Sequence, residues 1–296
     1  MTSNIVLVSG ALIYFERALG AIEELIKHNE WPTKPKVIIA TSGGAFVALH
    51  LCLMKDKISD TKILVTAKFG IRELINVILH GKCSNYNYVY NMYKKFLTPM
   101  VRSYGYNLDF DHLTLAEFYH LTGYLLIVNA LDIDTVEQIQ LDAFETPNVL
   151  LIHALMATSC LFPVLTAVNL LIGGKSRRLV DGGYANYCFV AAINSPSVKR
   201  LIPVIDYNKI TCVRMLPQGG PSNETQIHPL INNFQFLMQV ILAYKIKSDD
   251  MSLYRQNMYE IPFKLSGIIN AKMTDSWCDE EREIGRKIVR SILSNR

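Results

Sequence analysis

No apolar run in this 296-residue chain reaches the ~18–20 residues of a membrane-spanning helix. Its most apolar N-terminal stretch, Ile5–Phe15, has no basic region before it and no clear cleavage site, so no signal peptide is read. The six cysteines (52, 83, 160, 188, 212 and 278) are scattered and none forms C-x-x-C. That spacing suggests neither a zinc site nor a small disulfide framework, and it fits buried thiols in a reducing, cytoplasmic setting. There is no internal repeat and no low-complexity tract. Gly10-Ala11-Leu12 is not G-x-G-x-x-G, and no Walker lysine follows either glycine turn, which weakens a nucleotide-binding reading. A net charge of +4 is too small to argue for nucleic acid.

What is present is a large apolar content, 50% hydrophobic against 19% charged, enough for a sizeable core. Asn4–Ser9 reads as a buried strand. Phe15–Asn29 follows as a helix, with Ala18, Leu19, Ile22, Leu25 and Ile26 at helical spacing. Val37–Ala40 is a second short β-branched strand, and Gly44–Met54 is an apolar helix. This strand–helix–strand–helix start implies a parallel sheet with helices on its faces. Further along, Asp60–Phe69, Ile71–His80 and Tyr88–Leu97 look helical. A capping box at Thr114–Glu117 starts a helix that stops at Gly123. Strands are expected at Tyr124–Ala130, Val136–Leu141, Arg178–Val180 and Thr211–Leu216, with a buried helix at Asn148–Thr158. Pro217–Gln226 reads as a loop, His228–Tyr254 as a long helical region, and a last helix begins at Thr274.

Residues 55–106 hold nine Lys/Arg against three acids, and six tyrosines besides. Such a mixture suits an anionic lipid surface. It suits better a solvated helical face with its aromatics in the core.

The chemistry concentrates where the second strand meets its helix. Only Thr41, Ser42 and Gly43 separate them, so the chain turns sharply and Ser42 stands at the apex. Ala40, Gly43, Gly44 and Ala45 are small enough for strand and helix to approach closely. Ala40-x-Ser42-x-Gly44 thus follows nucleophile-elbow logic, although a Gly/Ser turn between strand and helix also suits phosphate binding. A serine hydroxyl needs a base. None of the seven histidines sits in a glycine-rich turn after a strand. Asp181 does: it ends a strand and precedes Gly182-Gly183, at the sheet edge where open α/β folds place their sites. A turn aspartate satisfied by local N–H groups is the plainer alternative.

Taken in order, these motifs resemble the patatin-like phospholipases, lipid acyl hydrolases that use a serine–aspartate dyad without histidine. Ala-Thr-Ser-Gly-Gly-Ala around Ser42 matches the elbow, and Leu-Val-Asp-Gly-Gly-Tyr around Asp181 matches the dyad motif. Leu150–Leu165 resembles the family's segment before that motif, and the likeness covers about residues 4–195. It implies a three-layer α/β/α fold with a mainly parallel sheet and a helical insertion. The expected organisation is a hydrolase domain over 4–215, with the insertion at about 55–110, and a mainly helical extension over 216–296 packed on the same domain. It also implies Ser42 as nucleophile and Asp181 as base, within hydrogen-bond reach. The oxyanion donors would be the backbone of Gly43, Gly10, Ala11 and Leu12, with Ala40, Gly44, Gly182 and Gly183 as motif residues. No metal or cofactor is implied. The partner would be a membrane lipid or lipid-droplet surface, bound peripherally, and no nucleic acid.

The chain departs from the family at the glycine-rich loop after the first strand. Gly10-Ala11-Leu12-Ile13-Tyr14-Phe15 keeps one glycine of four and has Tyr14 at the basic position. Two readings follow: an ester hydrolase acting through an acyl-enzyme, or a protein that keeps the fold to bind a lipid surface or a partner without useful catalysis.

Overall fold

The computed structural model describes residues 4–10, 14–32, 34–54, 85–162, 165–186, 188–218, 257–264 and 275–296. The helices expected at 60–69, 71–80 and 228–254 lie outside these residues, as does most of the 217–226 loop.

Five parallel strands form the spine of the sheet: β3 (Leu125–Asp132), β2 (Val37–Ala40), β1 (Ile5–Val8), β7 (Ile210–Gln218) and β8 (Met258–Lys264), each bonded to the next. β1 and β2 are buried at every residue, the signature of a parallel sheet covered on both faces. Alternate β1 residues enter two separate clusters. Val6 and Val8 pack with α1 (Phe15–Lys27), α2 (Gly44–Leu53), α3 (Tyr86–Ser103) and α5 (Leu151–Thr158). Ile5 and Leu7 pack with α6 (Pro196–Leu201) and the short turns before it. These are the three layers the family resemblance implies. The short helix α4 (Leu115–Thr122) has both halves of its Thr114–Glu117 capping box, and ends at Gly123 in the left-handed region.

Two antiparallel strands complete the sheet around β3. β4 (Gln138–Leu141) and β6 (Lys175–Asp181) both pair with it, and β5 (Val168–Ile172) pairs with β6. Where the spacing predicts a strand from Val136, Val136 instead sits in the β3–β4 turn with φ 59°. The short strand expected at Arg178–Val180 is the end of a longer hairpin. That hairpin turns on Gly173-Gly174, both at positive φ, the requirement of a tight two-residue turn.

Pro217 and Gln218, expected in a loop, end β7 instead. β8 is a strand the sequence reading omits, although Tyr259, Ile261 and Phe263 alternate with Glu260 and Pro262 and are buried; Pro262 is tolerated because β8 is the last described strand of the sheet. The last helix, α7 (Asp275–Ser294), crosses α1 at backbone contact. A Cβ on Gly20 would lie 2.0 Å from the Arg282 carbonyl oxygen, and one on Gly285 would lie 2.1 Å from that of Arg17. Around this crossing Arg282 pairs with the fully buried Glu16 at 2.5 Å, and Arg17 with Glu281 at 2.5 Å.

The six tyrosines of residues 55–106 divide unevenly. Tyr93 is a core residue, and Tyr86, Tyr90, Tyr104 and Tyr106 pack against the core; Tyr88 is exposed. The aromatic half of that pattern is therefore taken up largely by packing. No helix among the described residues is long and apolar enough to cross a membrane.

Alanine normally stabilises a helix over glycine by ~1 kcal/mol. At Gly285 the crossing reverses the sign: Gly285→Ala is expected to lose about 1–3 kcal/mol through overpacking. Urea unfolding checks this, and an unchanged or higher midpoint would contradict the close crossing.

Candidate functional site

Ser42 lies beyond the end of β2 with φ 52°, in the left-handed region that a side chain other than glycine rarely adopts. The turn is tight. Gly44 N–H donates to the Thr41 carbonyl and Ala45 N–H to the Ser42 carbonyl, each at 2.9 Å. A Cβ on Gly44 would come within 2.2 Å of the Ser9 carbonyl oxygen, so the helix can start here only without a side chain. Gly43 caps α2, and its N–H is one of the donors a helix start leaves without an intrahelical acceptor. The Ser42 N–H donates to Thr158 Oγ1 at 3.0 Å.

Asp181 reaches the same place from the opposite direction. On β3, Val128 pairs with Ala40 of β2 and Leu141 of β4, while Ala130 pairs with Ile139 of β4 and Asp181 of β6. A strand has two edges, so β2 and β6 share the one that β4 does not occupy. β2 runs up that edge and stops, and β6 runs down it and stops. Asp181 is thus at the C-terminal edge of the parallel sheet although its own strand is antiparallel to β3. The Ser42 hydroxyl donates to Asp181 Oδ2 at 2.6 Å, with both residues buried.

The other carboxylate oxygen, Oδ1, accepts the Gly183 N–H at 2.7 Å, and the Asp181 N–H donates to the Cys160 carbonyl at 2.9 Å. Gly182 lies against Asn129, where a Cβ would meet Asn129 Cγ and carbonyl oxygen at 2.4 Å. Asn129 Nδ2 donates to the carbonyls of Gly182 at 3.2 Å and Asn186 at 3.3 Å, holding the turn behind the aspartate. Burial pushes the Asp181 carboxyl up from 3.8 to about 7, against the lowering effect of the hydrogen bonds from Ser42 and Gly183. A carboxylate poised there can accept a proton near neutral pH.

Of the proposed oxyanion donors, Gly43 is at the head of α2 and Gly10 is buried just past β1. Ala11 and Leu12 lie outside the described residues. Tyr14, at the family's basic position, is buried against the Phe263 and Trp277 rings, 5.0 and 6.0 Å between centroids. Arg17 does not substitute for the missing base, being committed to Glu281 and to the Pro262 carbonyl, each at 2.5 Å. Ala40 is the last residue of β2, fully enclosed in the core.

None of the described histidines contacts the pair. His50 is wholly buried, with Nδ1 2.5 Å from the Tyr104 hydroxyl. Desolvation and the nearby Arg282 charge bring its pKa down to about 3, so it stays neutral. His153 Nε2 faces the Tyr86 hydroxyl at 2.8 Å.

Three contributors escape a sequence reading: Thr158, the Cys160 carbonyl and Asn129. The one local signal for the first two is the polar pair Thr158-Ser159 closing a helix that is apolar apart from His153.

Comparison with known proteins bears on the family and the fold. The family model for patatin-like phospholipases matches residues 9–193. No curated protein matches significantly. Among solved structures, VipD from Legionella pneumophila aligns with all of this chain and 67% of its own, at 14% identity and a TM-score of 0.54. The type III effector protein ExoU aligns at 11% identity and a TM-score of 0.42, over 99% of this chain and 53% of its own. The chain thus spans about half the length of ExoU. The VipD likeness shows a shared fold. With a family model that matches well over half of its length, the chain belongs to the patatin-like phospholipase family.

Proposed function

We propose that the chain is a carboxylic-ester hydrolase acting on lipid acyl esters, with Ser42 as nucleophile and Asp181 as its base. The observation that carries this reading is the 2.6 Å hydrogen bond from the Ser42 hydroxyl to a buried carboxylate whose pKa lies near 7. Ser42 Oγ attacks the ester carbonyl carbon while its proton passes to Asp181 Oδ2. The tetrahedral oxyanion is met by Gly43 N–H. Collapse breaks the carbon–oxygen bond of the alcohol, which leaves with the proton from Asp181, and Ser42 remains acylated. Water then repeats the sequence, with Asp181 taking its proton and Ser42 restored as the acid departs. The substrate is an acyl ester of a phospholipid or acylglycerol, met at a membrane or lipid-droplet surface.

The altered Gly10–Phe15 stretch favours the second reading, a protein that binds lipid or a partner without useful catalysis. Losing one oxyanion donor costs ~10²–10³ in rate, which weakens an enzyme without abolishing it.

An activated fluorophosphonate, read by intact mass, separates the two. The wild type is expected to take one adduct and Ser42→Ala none. Asp181→Asn should react about 10²–10⁴-fold more slowly. Fatty-acid release from phosphatidylcholine vesicles or trioleoylglycerol emulsions should rank the three in the same order. A folded wild type that takes no adduct would favour the non-catalytic reading.

The pH dependence follows from Asp181. It acts as a base only when ionised, so labelling should rise with pH through about 7 and level off above. For stability the sign is opposite. A carboxyl whose folded pKa exceeds its unfolded value stabilises the fold at low pH, and that contribution is lost between about 4 and about 7. Asp181→Asn should therefore raise the melting temperature at pH 8 by more than at pH 4; an equal change at both would contradict a raised carboxyl pKa.

A further inference from the structure

The C-terminal end of α5 grips both halves of the pair. Thr158 Oγ1 accepts the Ser42 N–H at 3.0 Å, and two residues on, the Cys160 carbonyl accepts the Asp181 N–H at 2.9 Å. Between them Ser159 Oγ donates to the Leu155 carbonyl at 2.5 Å and meets the Tyr93 hydroxyl of α3 at 2.7 Å. Thr158 is fully buried and Cys160 nearly so. The segment is thereby fixed to its own helix and to α3, and it presents one side-chain acceptor and one backbone acceptor to the two residues whose distance matters.

The side-chain acceptor has a particular task. Ser42 holds a left-handed backbone that costs it energy, and such a conformation persists only where the surroundings enforce it. Its N–H points neither along the β2 ladder nor into α2. In a buried turn an N–H without an acceptor is strongly disfavoured, so rotation of the peptide away from this geometry is penalised as long as Thr158 Oγ1 is there.

Resting on the reading of Ser42 as nucleophile, we propose that Thr158 is a positioning residue, whose hydroxyl oxygen holds the Ser42 backbone left-handed and so keeps the serine hydroxyl on Asp181. Thr158 touches neither substrate nor the reacting atoms in this role. It acts through the backbone of the residue that does.

Two substitutions divide the oxygen from the packing. Thr158→Val keeps the branched shape and removes the acceptor, while Thr158→Ser keeps the acceptor and removes a methyl group. Fluorophosphonate labelling of folded protein should slow about ten- to a hundredfold in Thr158→Val, and stay within about threefold of wild type in Thr158→Ser. If the serine hydroxyl leaves Asp181, the midpoint of the pH profile should move up, because Asp181 keeps its burial and its bond to Gly183 but loses the lowering hydrogen bond from Ser42. A merely structural threonine would lower the melting temperature in either variant and leave the labelling rate per folded molecule unchanged; that result overturns the proposal. Crystal structures of wild type and Thr158→Val supply a readout independent of catalysis. Ser42 is expected to leave positive φ, or its hydroxyl to leave Asp181, in the variant. Retention of both would also overturn it. If the wild type takes no adduct at all, the hydrolase reading fails, and the crystal structures alone decide whether Thr158 holds Ser42.

Discussion

The hydrogen bond between Ser42 and Asp181 depends on an arrangement of strands more than on either residue. A parallel strand and an antiparallel one must end facing each other along one edge of β3, with a gap that fits a serine and an aspartate side chain. β2 supplies the first end at Ala40 and β6 the second at Asp181, two β3 residues apart in register. The hairpin through Gly173-Gly174 is what turns the chain back so that β6 arrives from the far side. From there each neighbouring feature removes an obstacle. Gly44 lets α2 start against Ser9, Gly182 lets the aspartate turn press on Asn129, and α5 offers acceptors to both backbones.

Burial gives the pair its chemistry and sets a conflict within it. The same enclosure that raises the Asp181 pKa to about 7 makes its ionised form unfavourable in the fold. Two hydrogen bonds, from Ser42 and from Gly183 N–H, offset part of that effect. Elsewhere the molecule buries charge differently: Glu16 and Arg282 neutralise each other between α1 and α7. Removing one partner of such a pair is strongly destabilising, so the C-terminal helix is bound to the first helix by charge as well as by the glycine contacts at Gly20 and Gly285.

Local patterns made much of this legible in the sequence. β1, α1, β2 and α2 follow from apolar runs and periodicity, and Ser42 and Asp181 from small residues clustered at strand ends. What stayed hidden depends on contacts distant in sequence. Thr158 lies 116 residues from Ser42, and nothing in its own neighbourhood says which N–H it will accept. The direction of β6 could not be read from Arg178–Val180 alone, since an apolar strand end looks the same parallel or antiparallel. In β8 the alternation of Tyr259, Ile261 and Phe263 is intact, but Pro262 argues against a strand until its place at the sheet edge beside β7 is known. The tyrosines of residues 86–106 fitted two patterns, core packing the better, and most of them do pack on the core.

The most direct measurement is a crystal structure of the protein after reaction with a fluorophosphonate. Phosphorus is expected bonded to Ser42 Oγ, with the phosphoryl oxygen within about 3 Å of Gly43 N and Asp181 still beside Oγ. An adduct on another residue, or a phosphoryl oxygen turned away from the head of α2, would contradict the proposed mechanism.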